Sequence, residues 1–199
     1  MTQTVEFYFD VGSPAAYLAW HRLPPICREA GAELAYRPML LGGVFQASGN
    51  QSPMSIPAKG RYIMNDLERF ALRDRIPFRH NPCFPINTLT LMRGAAGLQM
   101  RDPARMVPYA QAVYRAIWAD GRNMNEPAVV GEVLQRAGFD PQALLALAAE
   151  PEVKERLKTV TQEAVARGVF GAPTFFVGGQ MYWGQDRLDF VRQALGDKA

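Results

Sequence analysis

Val-Glu-Phe-Tyr-Phe-Asp-Val-Gly-Ser-Pro, residues 5–14, carries an apolar run through a short turn to Ser13-Pro14. The aromatic and β-branched residues from Val5 to Phe9 predict a strand, and proline directly behind a serine predicts a helix start. A sheet edge that opens onto a helix N-terminus readily holds anions, because unpaired N–H groups and the helix dipole both point there. The helix is expected from Pro14 to Ala30, closed by Gly31, with a second strand from Glu33 to Pro38. Far downstream, Gly171-Ala172-Pro173-Thr174 leads into the apolar run Phe175-Phe176-Val177. Gly178-Gly179 then predicts a hairpin returning through Gln180 to Trp183, followed by a last helix from Asp186 to Leu195.

Between these ends, residues 57–167 are almost wholly helical in pattern, with starts signalled at Asn87, Asp102-Pro103, Asn125-Glu126-Pro127 and Asp140-Pro141. The order β-α-β, helices, β-β-α requires two distant segments to share one sheet. The fold class is therefore α/β, a small sheet domain (1–56 and 168–199) with an all-helical insertion (57–167).

Composition excludes several classes. The chain has 199 residues, 48% hydrophobic and 21% charged, enough for one large or two small packed units. The net charge is +3 and the basic residues are scattered, which favours small anions and predicts neither nucleic acid nor a membrane surface as partner. No apolar run approaches the roughly 18 residues of a spanning helix, and without a basic segment and h-region the expected location is cytoplasmic. The two cysteines, Cys27 and Cys83, form no CxxC, and the two histidines, His21 and His80, make no ligand constellation, so neither a dithiol nor a metal is expected.

Separated blocks then point to a family. Phe7-Tyr8-Phe9-Asp10 with Ser13-Pro14 and Tyr17-Leu18-Ala19, Gly49-Asn50, Ile56-Pro57-Ala58-Lys59, Asn65-Asp66-Leu67, residues 168–174, and Trp183-Gly184-Gln185-Asp186-Arg187 occur in order along nearly the whole chain. This pattern resembles the thioredoxin-fold proteins with an inserted helical domain. Within them it is similar to the kappa-class glutathione transferases and the 2-hydroxychromene-2-carboxylate isomerases. Where disulfide oxidoreductases of this fold carry two cysteines, this chain has Ser13 and Ala16.

The resemblance implies glutathione as the external thiol, a small aromatic or electrophilic co-substrate and a homodimer. Ser13 is then the catalytic residue, its hydroxyl stabilising the thiolate. A free thiol has a pKa near ~8.5, and lowering it by about two units takes roughly 2.7 kcal/mol of preference for the anion. It further implies a cis bond before Pro173 that turns the Ala172 main chain toward the tripeptide. Trp183, Gly184, Gln185 and Asp186 are implied at its γ-glutamyl end, and Asn50 and Lys59 as further contacts. Asn87 and Phe45 would face the co-substrate, in a pocket walled by a loop from Met39 to Phe45 and by Tyr114 or Trp118. Isomerases of the naphthalene pathway carry a basic residue near the position of Phe45, and this chain departs from them there.

Every one of these residues also has a plain structural role. Ser13 is an N-cap before Pro14, Asp186 suits the N-cap of the last helix and Asp189 its first turn, Asn87 suits a cap, Lys59 a solvated charge, and Tyr114 and Trp118 a core. The expected activity is glutathione-dependent isomerisation of 2-hydroxychromene-2-carboxylate or a related aromatic-degradation intermediate, through thiolate addition, bond rotation and elimination. Its alternatives are kappa-class-like conjugation, a thiol oxidoreductase and a non-catalytic ligand-binding module.

Overall fold

The structure is a computed structural model and describes residues 2–196. Strand β1 (Thr4–Phe9) is followed by helix α1 (Pro14–Glu29) and strand β2 (Glu33–Pro38), which lies parallel to β1 with Phe7 opposite Tyr36. Strands β3 (Thr174–Val177) and β4 (Gln180–Trp183) complete a four-stranded sheet in the order β2-β1-β3-β4, with β3 antiparallel to both its neighbours. The hairpin between them turns on Gly178 and Gly179, both at positive φ, the backbone that a tight two-residue turn demands.

The central strand is apolar on both sides because both faces are covered. Phe7 and Phe9 pack with Phe175, Trp20 and Tyr36 on the α1 side. Tyr8 and Phe176 face the other way, against Met39, Val44, Val160 and Ala164. The helices from 41 to 166 are α2 (Leu41–Ser48), α3 (Pro57–Arg73), α4 (Leu89–Arg101), α5 (Pro103–Trp118), α6 (Pro127–Arg136), α7 (Pro141–Ala149) and α8 (Pro151–Ala166). The Asp102-Pro103, Glu126-Pro127 and Asp140-Pro141 signals all mark real starts. Asp140 also caps its helix with its side chain, accepting from the N–H groups of Gln142 and Ala143.

Three local expectations are corrected. The stretch from Met39 to Phe45 is a helix from Leu41 onward, not a loop. Gly42-Gly43 argues against a helix by propensity, yet Gly43 is needed because a Cβ there would approach Thr161 of α8 to 3.2 Å. The helix at Asn87 begins two residues later, with Asn87 Oδ1 accepting the Leu89 N–H at 3.2 Å. The last helix, α9 (Leu188–Ala194), is preceded by a 3-10 turn over Gln185–Arg187, and no side chain caps it. Asp186 is therefore not its N-cap.

Candidate active site

Ser13 sits where the turn after β1 meets α1, and it is 4% exposed. Its Oγ accepts the Ala16 N–H at 3.1 Å, the N-cap bond that serine before proline predicts. The same hydroxyl donates to the carbonyl of Ala172 at 3.0 Å, across 159 positions of sequence. The Ala172–Pro173 peptide is cis. The Ala172 carbonyl is thus turned onto Ser13, and a ligand that pairs with it or takes the Ser13 proton must exchange this bond.

A continuous rim runs outward from that contact. The Pro173 carbonyl accepts the Gly184 N–H at 3.0 Å, and Thr174 faces Trp183 across the β3–β4 ladder. Trp183 is 47% exposed and packs on Phe170 with ring centroids 4.9 Å apart. A Cβ on Gly171 would come within 2.7 Å of the Trp183 Nε1, so the indole stands where only glycine leaves room. Asn50 joins from the loop after α2, donating through Nδ2 to the Phe170 carbonyl at 2.8 Å. Gly184 has φ +101, and Asp186 is exposed and paired with Arg187. Ser13, Asn50, Ala172, Pro173, Trp183, Gly184, Gln185 and Asp186 are therefore brought together.

The other expected residues lie elsewhere or point differently. Lys59 is exposed in the first turn of α3 and makes no hydrogen bond or ion pair among the described residues. Phe45 is half-buried on α2. The Asn87 side chain borders a cleft of about 740 Å³ enclosed by α4 to α7, with Leu91, Tyr109, Leu134 and Leu144. That cleft does not include Ser13. Tyr114 and Trp118 are fully buried. They hold the turn before Ser13 from beneath, Tyr114 donating to the Asp10 carbonyl at 3.2 Å and Trp118 Nε1 to the Val11 carbonyl at 2.8 Å.

Two residues without a role in the sequence reading organise this region. Asp10 is 1% exposed, and its carboxylate accepts from the N–H of Gly12, the N–H of Leu41 and the hydroxyl of Thr88. Burial pushes its carboxyl above the usual carboxylate range, and those three donors only partly offset it. Arg22, nine positions after Ser13 on α1, donates to the Gln185 carbonyl at 2.7 Å and to its side-chain Oε1. Gln185 is consequently buried, its side chain turned inward. The Asp10 carboxylate was visible as a charge at the end of an apolar strand, whereas nothing local marked Arg22.

Cys27 does not adjoin Ser13 as a partner thiol would. Cys27 is buried on the far half of α1, and desolvation pushes its thiol up to about 11, which suppresses the nucleophilic thiolate. Among the described residues no group of three or more His, Cys, Asp or Glu side chains converges as a metal site would require. No described helix is long and apolar enough to cross a membrane.

With this geometry in place, residues 4–196 match the family model of the DSBA-like thioredoxin domain. The chain belongs to the DsbA-like thioredoxin family. Its membership is narrowed by similarity to the 2-hydroxychromene-2-carboxylate isomerase of Sphingobium xenophagum, 33% identical over 199 residues, covering 99% of this chain and 100% of that one. Human glutathione S-transferase kappa 1 is 30% identical over 210 residues, covering 100% of this chain and 93% of its own length. A solved 2-hydroxychromene-2-carboxylate isomerase superposes with a TM-score of 0.82 at 32% identity, over 97% of this chain and 94% of that one. This DsbA-like chain is therefore similar over nearly its whole length to proteins named isomerases and transferases, and it carries serine at position 13 and alanine at position 16.

Proposed function

We propose that the protein is a glutathione-dependent isomerase of 2-hydroxychromene-2-carboxylate or a related unsaturated intermediate of aromatic degradation. The observation that carries this reading is the Ser13 hydroxyl, held between the Ala16 N–H and the Ala172 carbonyl at the mouth of α1, with no thiol at position 13 or 16. Such a hydroxyl cannot store electrons, but it can donate to a sulfur anion brought by another molecule. The helix N-terminus adds positive potential at the same point.

Glutathione supplies that sulfur. Its cysteinyl backbone would pair with the Ala172 main chain in the manner of an added strand. Its γ-glutamyl ammonium would meet Asp186, with the backbone N–H groups of the 3-10 turn taking the neighbouring carboxylate. Trp183 and Asn50 flank this path, and Lys59, which has no hydrogen-bond or ion-pair partner among the described residues, would take the glycyl carboxylate. Phe45 and Asn87 are assigned to the co-substrate side. Residues 1–56 and 168–199 would form the tripeptide-binding unit and 57–167 the helical one. A homodimer and a cytoplasmic location belong to the same reading and rest on the family alone.

Opening of the hemiketal ring breaks its C–O bond, passes the hydroxyl proton to the phenol oxygen and exposes a conjugated ketone; the thiolate then adds to the electron-poor alkene carbon, forming a C–S bond while the C=C electron pair moves onto that carbonyl. The former double bond is then free to rotate. Return of the electron pair expels the thiolate and leaves the isomer, so the tripeptide is regenerated and no redox partner is needed. A second reading, conjugation as in the kappa-class transferases, is favoured by Phe45, an apolar side chain where a substrate carboxylate would call for a base. It shares the thiolate addition and differs in releasing the adduct.

Purified protein should be assayed with hydroxychromene carboxylate and with a generic aromatic halide, each with and without reduced glutathione. Isomerisation that requires glutathione and leaves it unconsumed supports the first reading, and stoichiometric consumption supports the second. Glutathione-independent turnover, or none with either compound, refutes both.

A further inference from the structure

We propose that Asp10 is a positioning residue that locks the Ser13 turn, the start of α2 and the start of α4 into one frame, so that the Ser13 hydroxyl and the thiol it holds are kept in fixed geometry against both helices. For the identity of the thiol, this rests on the glutathione reading above.

The argument begins with connectivity. Asp10 Oδ1 accepts the Gly12 N–H at 2.9 Å, while Oδ2 accepts the Leu41 N–H at 2.8 Å and the Thr88 hydroxyl at 3.1 Å. Those donors belong to the turn before Ser13, to the first residue of α2 and to the residue that precedes α4. The Asp10 main chain adds a fourth link, its carbonyl accepting the Ser13 N–H at 3.0 Å. The turn has no slack, since a Cβ on Gly12 would lie 2.9 Å from Thr88 Cγ2 and 3.4 Å from Asp10 Oδ1.

An ionised carboxylate accepts all three donors at once. A protonated acid or an amide turns a donor of its own toward one of them. The donors that face the carboxylate from the turn, α2 and α4 are neutral, the titratable neighbour is Tyr114 on α5, and no Lys or Arg pairs with it among the described residues. An unpaired buried charge is a costly way to hold a fold together. Burial raises the folded carboxyl above its unfolded value of 3.8. Its ionisation therefore subtracts stability as pH rises through the raised value. A group that weakens the fold while ordering three walls of a site fits the trade of stability for function.

The test uses D10N, T88V and T88S in the full chain, with reduced glutathione and whichever of the two co-substrates the wild type turns over. Asp10→Asn should lower kcat at least tenfold while its Tm at neutral pH equals or exceeds that of the wild type, and this Tm difference should shrink toward acid pH. Thr88→Val should also lower kcat, and Thr88→Ser should recover it. Amide hydrogen exchange supplies a readout that needs no turnover. In D10N the Gly12 and Leu41 amides should exchange at least tenfold faster while the β1–β3 ladder stays protected. Unchanged exchange at both amides, or a Tm loss that is constant with pH and parallels the kcat loss, overturns the proposal. Failure of the glutathione reading would show separately, as a wild type without thiolate absorbance that S13A matches.

Discussion

Replacing Ser13 with alanine removes both bonds of its hydroxyl, and the structure sets the size of each effect. In the free protein the hydroxyl proton already goes to the Ala172 carbonyl at 3.0 Å. Binding a thiolate therefore exchanges a neutral hydrogen bond, worth about 1 kcal/mol, for a charge-assisted one worth about 1.5–3 kcal/mol. The net preference for the anion is about 0.5–2 kcal/mol, which lowers the bound thiol by roughly one pKa unit at the middle of that range. Any larger depression must come from the α1 N-terminus, which Ser13→Ala leaves in place. The expected result is a rise of about one unit in the midpoint of thiolate absorbance for bound glutathione, with kcat/KM on the acid side of that midpoint falling about tenfold. Loss of the cap to the Ala16 N–H should cost a further ~1 kcal/mol of fold stability, or roughly 2–4 °C in Tm at this chain length. An identical thiolate midpoint in the two proteins would refute the reasoning.

Three other substitutions probe the rim and the fold. Gly171→Ala drives a methyl to within 2.7 Å of the Trp183 Nε1, so the indole must shift; calorimetry should show glutathione binding weakened about tenfold, roughly 1.4 kcal/mol. Arg22→Met frees Gln185 and leaves Asp74, its ion-pair partner at 2.8 Å, with Arg73 alone. A stability loss of about 2 kcal/mol by urea unfolding and a raised KM for glutathione are expected. His21 has its folded pKa lowered below 6.5 by burial, and its Nε2 is buried without a partner. The neutral form is the one the fold prefers, so stability is full above 6.5 and is lost as pH falls toward the lowered value. His21→Phe should flatten that decline in a pH series of melting curves; an unchanged slope would exclude His21 as its source.

The βαβ opening, the hairpin and the Asp-Pro helix starts were legible because each is decided within a few residues. A strand needs alternating neighbours, a cap needs its own next turn, and Gly178-Gly179 needs only its own backbone freedom. The N-cap role of Ser13 was legible for the same reason. The Met39 to Phe45 stretch was misread because its helix is held from outside, by the Asp10 carboxylate on the Leu41 N–H and by Thr161 of α8 on the Leu40 N–H. Neither partner is near in sequence. Tyr114 and Trp118 had equal claims to pocket and core until the packing of α5 under the β1–α1 turn buried both.

The amino-acid sequence by itself determined a small sheet interrupted by helices, a serine at a helix mouth and the absence of an internal dithiol, since these depend on side-chain type and local spacing. Only the tertiary structure decided that Ser13 shares its proton with Ala172, that Arg22 turns Gln185 inward and that Asp10 binds three segments with one carboxylate. Those pairs lie 159, 163 and up to 78 positions apart. Contacts at such separations are selected by the packing of the whole core, which no local propensity encodes.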